Sequence, residues 1–512
     1  MAPSSARALV GMLLWLPLLA LPAICASSAL AAKEPAAPST PAATGAPAAD
    51  AREVEAIAVM LASEDYGVRS AAGQKLIRLG RGHDLIEPLL AALQKDDPRV
   101  RRGAALALGT FRDPRVAPAL LAALGDKDAS VRAAAAEGLG GSKSVPVIRF
   151  AGIPGLPAEA VEPLIAAMKD QDPGVRMCAV RALGSPQASR AVEPLIEALK
   201  DSQPGIRLTA AQSLGKIGGD KAVEALIGLL KDKDPKTFHV IAQALVDTHD
   251  ARAVQPLVEA LNDPEPLVRQ GAAIALGGQP SFGATGMVST PHFGPQTGAI
   301  VVPPLITALK DASPDVRWAA AAALGAYKDA RSVEPLLAAL KDRDHRVRSF
   351  AIGSLGQLKE PRAVEPLIAI LGDKSEPARL HEMKSPTGET LSYTIGNRAT
   401  AARSLADIGD PRAVEPLIAA MKDEDRDLCR EAIAGLARFK DARAFDGLVA
   451  ALKDPDQEIR RTGAWALGEL GDPRAIEPLT AAQSDSSQEV SESAKRAIKS
   501  LREKSKRTAP RP

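Results

Sequence analysis

The chain has 512 residues, with 64 lysines and arginines against 62 aspartates and glutamates, and only 3% of its residues are aromatic. This charge balance excludes a chain-wide bias toward nucleic acid or a membrane surface, so we expect any charged partner to be recognised locally. Few aromatic residues and abundant alanine favour closely stacked helices over a deep globular core.

Residues 1–31 have the layout of a secretory signal peptide. A single arginine, Arg7, precedes an apolar run that ends at Ile24, and small residues follow. The run contains two prolines and is shorter than the ~20 residues that a transmembrane helix needs. We therefore expect an exported protein, periplasmic or secreted, without stable membrane insertion after cleavage. The alternative is a chain that remains anchored by an uncleaved signal.

Two further segments have the composition of flexible chain. Residues 32–50 are rich in alanine, proline and threonine, which predicts a flexible linker. Residues 505–512 are basic and predict a disordered, solvated tail. Between them, residues 51–504 carry a repeated pattern that predicts the folded part of the chain.

One phrase of fourteen residues recurs through residues 51–504. It reads DPRAVEPLIAAMKD from Asp410, EPRAVEPLIAILGD from Glu360 and DARSVEPLLAALKD from Asp329. With the proline of this phrase as a marker, eight of twelve successive steps are 31 residues long. A fixed period in this range predicts a solenoid of stacked repeats. The unit around Ala56 lacks both the marker proline and a turn aspartate, as expected of a capping end.

Each unit is predicted to contain two helices. Apolar residues recur at i, i+3, i+4 and i+7 of the phrase, which predicts an amphipathic first helix whose proline lies in the first turn or bends the helix. An Asp-x-Asp-Pro turn follows, as at 170–173, and supplies an N-cap and a first-turn proline for the second helix. That helix is expected to end at Gly184 as a C-cap.

The motifs of the unit resemble those of a known family. An aspartate follows the marker proline by seven residues, Val-Arg follows it by twelve and thirteen, and an alanine-rich helix closes in Leu-Gly. This pattern resembles HEAT repeats, and the short period with the wording AVEPLIAAM resembles the phycobilisome-lyase-like (PBS lyase) HEAT-like subtype. The resemblance implies an all-α fold: a right-handed α-α solenoid, or superhelix, of about 13 HEAT-like helix pairs with short loop or hairpin insertions.

Three longer steps indicate insertions at about 142–158, 278–300 and 375–396. The first two follow a second helix, and the third separates the two helices of one unit. We therefore expect the first two on one edge of the solenoid and the third on the opposite edge. Within the third, two short strand-like runs flank a Ser-Pro-Thr-Gly turn, which predicts a hairpin.

The insertions are the predicted binding loops, because loops at the edges of repeat arrays commonly carry binding residues. The alternative, that these side chains only fold back over the solenoid edge, remains open. The candidate binding residues are Phe150, Phe282, His292, Phe293, His381 and Tyr393.

The Val-Arg arginine and the turn aspartate recur with the repeat. By resemblance to HEAT-like proteins they form an Asp–Arg ladder along the inner face, in which each arginine pairs with an aspartate of its own or the adjacent unit. A structural ladder is the preferred hypothesis and anion binding the alternative. The predicted ladder residues are Asp170, Arg176, Asp201, Arg207, Asp311, Arg317, Asp342, Arg348, Asp454 and Arg460. Phe238, Cys429 and Ser491 interrupt the pattern, so we expect the curvature to change near the first two.

Catalytic and metal-binding patterns are not evident in the sequence. Deoxyhypusine hydroxylase, a HEAT-like enzyme, uses several His-Glu pairs for a di-iron centre, and this chain has a single one at His381. Cys178 and Cys429 lie seven repeats apart, too far for a disulfide. We predict no cofactor, no metal and no catalytic residue.

The resulting hypothesis is an exported scaffold that binds a protein or peptide partner through its concave face and edge loops, without nucleic acid. The alternative is a HEAT-like enzyme, either an oxidoreductase of the deoxyhypusine hydroxylase kind or a bilin lyase-like protein.

Overall fold

The structure is a computed structural model. It describes residues 50–80, 84–141, 156–231, 235–277, 281–283, 286–288, 293–375, 379–384 and 390–508. The predicted signal peptide (1–31) and all but the last residue of the predicted linker (32–50) lie outside the described residues, as do Phe150 and His292.

The described residues form thirteen consecutive helix pairs, as the sequence predicts. The first helices are α1 (Ala51–Leu61), α3 (Ile86–Ala92), α5 (Val116–Ala123), α7 (Val161–Ala167), α9 (Val192–Ala198), α11 (Asp220–Lys231), α13 (Val254–Ala260), α15 (Gly298–Ala308), α17 (Val333–Ala339), α19 (Val364–Gly372), α21 (Val414–Ala420), α23 (Phe445–Ala451) and α25 (Ile476–Ala482).

The second helices alternate with them along the chain. They are α2 (Tyr66–Gly80), α4 (Pro98–Leu108), α6 (Ala129–Leu139), α8 (Pro173–Ala182), α10 (Pro204–Ile217), α12 (Pro235–Asp247), α14 (Pro266–Gly277), α16 (Pro314–Tyr327), α18 (His345–Leu358), α20 (Asn397–Ile408), α22 (Arg426–Phe439), α24 (Gln457–Leu470) and α26 (Gln488–Thr508).

The marker proline lies in the first turn of the first helix. In the unit at Pro416, α21 begins two residues earlier at Val414, and a 3-10 turn, Pro411–Ala413, leads into it. An early proline costs no intrahelical hydrogen bond, because the first N–H groups of a helix have no partner within it. The first of the two predicted placements of the proline is therefore the observed one for this unit.

The second helices form a continuous row. From α4 to α26 each packs on the second helices of the neighbouring units, whereas first helices contact each other less and contact mainly the second helix of their own unit. One apolar stripe per helix is thus buried against three neighbours, which a single helix pair could not achieve. The predicted all-α solenoid is confirmed.

The glycine that closes the second helix serves the stacking of these helices. The cap residue of α8 is Leu183, and Gly184 follows it without a positive φ. A Cβ on Gly184 would lie 2.7 Å from Oγ of Ser213 on α10. The predicted C-cap role of Gly184 is therefore wrong: the position requires glycine because the neighbouring helix approaches too closely for a side chain.

The N-terminal unit departs from the regular row. Its first helix, α1, and not α2, packs on α4, and a Cβ on Gly103 would lie 1.8 Å from the carbonyl oxygen of Ala58. The buried Nε of Arg69 on α2 has no hydrogen-bond partner. The first unit thus caps the row by placing α1 in the position of a second helix.

Two short antiparallel hairpins occur within insertions. β1 (Ser281–Gly283) pairs with β2 (Gly286–Val288), and β3 (Arg379–Lys384) pairs with β4 (Thr390–Ile395). The second of them is the hairpin that the sequence predicts. At the C terminus, α26 continues to Thr508, into the segment that was predicted to be a disordered tail.

Candidate binding surface on the second helices

An arginine and an aspartate join neighbouring units at seven places in the described part of the chain. Arg317 on α16 donates from Nε and Nη2 to the carboxylate of Asp342 in the next unit, both at 2.8 Å. Its Nη1 donates to the carbonyl oxygens of Asp311 and Ala312 in its own turn, at 2.9 and 3.1 Å. The two side chains are only 6% and 14% exposed. This bidentate, largely buried geometry is the strong form of an ion pair.

The same joint recurs along the row. In each case the carboxylate belongs to the next unit. The backbone carbonyls that accept from the arginine belong to the arginine's own unit. The observed pairing is therefore with the adjacent unit, one of the two possibilities that the sequence left open. The joints are Arg101–Asp126, Arg132–Asp170, Arg176–Asp201, Arg269–Asp311, Arg317–Asp342, Arg398–Asp423 and Arg460–Asp485.

Three other predicted ladder residues have different described contacts. Arg207 donates from Nη1 to the carbonyl oxygen of Asp201 at 2.8 Å, and Arg348 donates likewise to that of Asp342 at 2.5 Å. The carboxylate of Asp454 accepts from Nη1 of Arg426, at the start of α22. This last contact occurs because Cys429 occupies the ladder position in that unit.

The interruptions replace the arginine in three ways. Phe238 is buried in the core. The thiol of Cys429 donates to the carbonyl oxygen of Asp423 at 2.9 Å, and the hydroxyl of Ser491 donates to that of Gln483 at 2.7 Å. Cysteine and serine thus satisfy a turn carbonyl but provide no charge. In the unit of Cys429 the ion pair to the next unit is made by Arg426 instead. The associated change in curvature stays a prediction.

A second ladder, on the exposed rim, was not predicted. Arg412 binds Asp410 of its own turn and donates from Nη1 to Glu365 of the preceding unit at 3.0 Å. The signal was present in the sequence, because the phrase DPRAVEP places an arginine four residues before the marker proline and a glutamate one residue before it. Equivalent pairs are Arg115–Glu87, Arg362–Glu334 and Arg443–Glu415. These arginines are about half exposed, so solvent screens each pair and its contribution to stability is small.

The accessible part of the second helices is the face turned away from the first helices, which we call the inner face. It is formed chiefly by the residues one and five positions after the ladder residue. In α10 these are Leu208 and Gln212, and in α24 they are Arg461 and Trp465, of which Trp465 is 42% exposed. Because these positions lie beside the ladder but outside it, they vary freely from unit to unit.

The inner face changes character along the row. Five successive second helices, α10 to α18, carry no aspartate, glutamate, lysine or arginine at these two positions. The ten residues are Leu208, Gln212, His239, Gln243, Gln270, Ile274, Trp318, Ala322, Ser349 and Gly353. Partial desolvation lowers the pKa of His239, which favours the neutral form of its imidazole. On either side one of the two positions is charged: Arg181 on α8 and Arg403 on α20.

One part of this uncharged region is covered. Ala322 on α16 is only 5% exposed, although the equivalent Gln243 on α12 is accessible. The hairpin strand β2 lies against α18, and Trp318 stacks on Phe350 of α18 with ring centroids 4.8 Å apart. The accessible part of these positions therefore extends from α10 to α14. The exposed Lys216 and Asp247 lie one turn further along α10 and α12, and Asp247 accepts a hydrogen bond from Gln243.

The structure places the predicted insertion residues differently. Phe293 is 5% exposed and belongs to the core, so it cannot be a binding residue in this conformation, and its placement agrees with the covering alternative. Phe282 lies in β1 opposite Met287, and His381 in β3 lies opposite Tyr393 in β4. Their side chains lie outside the description, so a binding role for them stays a prediction.

The described residues contain neither clustered metal ligands nor a long apolar helix of membrane-spanning length. No group of three or more His, Cys, Asp or Glu side chains within them is arranged to hold a metal ion. Of the helices in the described ranges, none is both long and apolar enough to cross a membrane. Cys178 and Cys429 are free thiols.

The stacked helix pairs, with their inner row of second helices and their Arg–Asp joints, define an α-α solenoid repeat protein. A family model of HEAT repeats matches residues 54–140, 161–245, 227–285, 302–383 and 414–499, so the chain belongs to the HEAT-repeat family. A model of the PBS lyase HEAT-like repeat matches residues 398–423. No curated protein matches the sequence significantly.

Solved structures with a similar fold include members of the karyopherin group. Yeast importin-β (Kap95p) is 14% identical, with a TM-score of 0.54 over 88% of this chain and 67% of that one. Kap95p studied with RanGDP is 13% identical, with a TM-score of 0.55 over 88% and 66%. The Kap95:Nup1 complex is 14% identical, with a TM-score of 0.52 over 88% and 67%. This chain thus spans about two thirds of the length of these proteins, and the likeness concerns the fold.

The ladder gives the stability of the solenoid a defined pH dependence. Hydrogen bonds from the Arg398 guanidinium lower the pKa of Asp423 from 3.8 to about 2. A carboxyl group whose pKa is depressed by folding stabilises the fold above its unfolded pKa, and that contribution is lost as the pH falls through the folded value. We expect Asp423→Asn to lower the melting temperature at pH 6, and the difference from the parent chain to shrink between about pH 4 and pH 2. Thermal melts monitored by circular dichroism measure it.

The control is Glu424→Gln, which changes an exposed neighbouring carboxylate. Its melting temperature should follow that of the parent chain at each pH. A difference between parent and Asp423→Asn that stays constant from pH 6 to pH 2 would contradict this description of the joint.

Proposed function

We propose that the protein is an exported scaffold that binds a protein or peptide partner through the inner face of its second helices. The observation that carries this proposal is that, within a second helix, one set of residues joins the units and another set is accessible to a partner. The ladder residues pair with each other and join neighbouring units, as in Arg317–Asp342. The accessible residues beside them differ from unit to unit. A fixed frame that presents variable side chains along one face suits recognition of an extended partner surface.

The relatives support a binding role over a catalytic one. Kap95p binds RanGDP and also forms a complex with Nup1. Its solenoid is similar in fold to that of this chain. The matching families are repeat families and indicate no catalytic activity. A HEAT-repeat fold serves many functions, so the choice rests on the site itself. We find no observation that favours the oxidoreductase or lyase alternative.

Export is the second part of the proposal. It rests on the sequence of residues 1–31, with a basic residue, an apolar run and small residues in the order of a secretory signal. Export would place the inner face in the periplasm or outside the cell, where its partner would have to be found.

Site-specific photo-crosslinking tests the binding role. A photoreactive phenylalanine analogue is placed at Gln212 or Trp465, both accessible on the inner face, and as a matched control at Glu197, which is exposed on the first helix α9. In cells that express the protein, we expect adducts with the same partner from the inner-face positions and none from position 197. Adducts that form only at position 197, or at none of the three, would contradict the proposal.

Export is tested separately by mass spectrometry of the N terminus. We expect the protein recovered from the periplasm or the medium to begin near Ala32. An intact Met1 on protein recovered from the cytosol would contradict export and leave the binding role to be judged by the crosslinks.

A further inference from the structure

We propose that α26 attaches the solenoid to a bilayer surface that carries anionic phosphate headgroups. The contact surface consists of three exposed basic side chains, Lys495, Lys499 and Arg502, which we call the basic stripe. Attachment at α26 goes beyond the proposed function, because it assigns a second surface and a different class of partner. The proposed export determines which membrane the protein meets, and the binding itself does not depend on it.

The basic stripe lies on the side of α26 that faces solvent. The apolar residues of this helix are buried where it packs on α24 and α25; they are Val490, Ala494, Ala497, Ile498 and Leu501. Lys495, Lys499 and Arg502 recur at i, i+4 and i+7, so they follow one line along the helix over roughly 10 Å. Arg496 is exposed beside them.

Neighbouring carboxylates do not neutralise these side chains. In the described part of the chain, neither the residues of the basic stripe nor Arg496 make an ion pair, and Arg496 donates only to the carbonyl oxygen of Glu492 at 3.3 Å. On the two preceding second helices, exposed or half-exposed arginines are paired, as in Arg430–Asp427, Arg438–Asp407 and Arg461–Glu458. Four positive charges on one helix are thus available to an external anion.

Acidic residues are concentrated at the other end of α26. Glu489 and Glu492 lie in its first two turns, whereas residues 495–508 contain seven lysines and arginines and one acidic residue, Glu503. The helix dipole favours basic residues in the last turn, but Lys495 and Lys499 lie at least two turns before α26 ends at Thr508. Helix capping therefore does not account for the stripe.

The remaining acidic residues near α26 belong to the end of α24 and to α25 and its flanking turns. They are Glu469, Asp472, Glu477 and Asp485. Asp472 and Asp485 are already paired with arginines, and neither of the other two pairs with the basic stripe. The positive charge of the stripe is therefore not cancelled at contact distance.

The chemistry of this side favours lipid headgroups over a protein or a nucleic acid. Protein interfaces depend on buried aromatic or apolar anchors, and single-stranded nucleic acid depends on aromatic side chains for stacking. Every exposed residue of α26 with a described side chain is polar or charged. A helix packed along its length on α24 and α25 cannot enter the major groove of a duplex, which is only about 12 Å wide. A layer of anionic headgroups requires neither an anchor nor a groove.

The same residues exclude insertion into the bilayer. None of the large hydrophobic residues that are exposed in the described ranges lies on α26. The contact is therefore electrostatic, and salt should weaken it. Each lysine or arginine near an anionic bilayer strengthens binding about fivefold.

Cosedimentation with lipid vesicles tests the inference. The mature chain from Ala32 is titrated with vesicles of phosphatidylcholine alone, or of equal parts phosphatidylcholine and phosphatidylglycerol, at about 50 mM salt. We expect binding only to the vesicles that contain phosphatidylglycerol, and release at about 500 mM salt. A fourfold variant should bind them at least about a hundredfold more weakly. Its substitutions are Lys495→Gln, Arg496→Gln, Lys499→Gln and Arg502→Gln.

The matched control removes the same number of positive charges from exposed lysines in four other units. Its substitutions are Lys310→Gln, Lys341→Gln, Lys422→Gln and Lys453→Gln. It should bind the vesicles like the parent chain, and circular dichroism should show both variants to be folded. Equal losses in the two variants, binding to phosphatidylcholine alone, or no binding to either kind of vesicle would overturn the inference.

A short fluorescein-labelled DNA duplex, followed by fluorescence anisotropy at the same salt, tests the nucleic-acid alternative. We expect the α26 substitutions to reduce the affinity for the vesicles by a larger factor than the affinity for the duplex. The opposite order would overturn the choice of a bilayer. Crosslinks from Gln212 or Trp465 report on the inner face alone, so the proposed function and the attachment at α26 can fail separately.

Discussion

The bidentate contact between the arginine of one unit and the aspartate of the next is the interaction on which the solenoid depends. A helix pair of this size cannot bury its apolar faces alone, so each unit is folded only to the extent that its neighbours are in register. The joint sets that register: Arg317 links Asp342 ahead of it to the carbonyl groups of its own turn. Its low exposure means that the loss of one partner would leave a poorly solvated charge, which is far more costly than the loss of an exposed pair.

The same joint explains why the inner face can carry a function. Because the ladder residues have their hydrogen bonds satisfied within the protein, they are poor candidates for ligand binding, and anion binding by the ladder is not favoured. The positions next to them take no part in joining the units. They range from Gln212 in the middle of the row to Trp465 near its end, so the frame is constant and the presented surface is not. Specificity in such a protein is expected where the repeat is broken and not where it is kept.

Much of the fold could be predicted from the sequence, because its signals are local and repeated thirteen times. The helix pairs, the N-cap aspartates such as Asp172 and the hairpin at 379–395 all follow from short patterns. Three features could not be predicted. Pairing with the next unit instead of the same unit depends on a distance across the stack, and so does the packing role of Gly184. The packing of α1, instead of α2, on α4 depends on contacts between helices that no local pattern encodes.

The candidate surface was predicted only in part. The sequence indicated the inner face and the edge loops, but Phe293 proved to be buried, because an aromatic residue in an insertion gains more by covering an exposed edge of the core than by remaining in water. The set of inner-face positions without a charged side chain, which includes Leu208 and Gln270, could be recognised only from the structure. The structure was needed to show which positions of each second helix are accessible. The rim ladder was visible as a repeated Arg and Glu but lacked a partner until the stacking was known.

Native-state hydrogen exchange of Arg317→Ala, compared with Arg362→Ala, tests the central claim most directly. Both variants remove one guanidinium from a repeated ion pair, but Arg317 is buried at the joint of α16 and α18, whereas Arg362 is exposed on the rim. We predict a loss of about 3 kcal/mol of protection, confined to α16, α18 and their first helices, for Arg317→Ala. For Arg362→Ala we predict no measurable loss, because solvent screens this exposed pair. Equal losses for the two variants, or unchanged protection at the Arg317 joint, would contradict the claim that this interaction holds the units together.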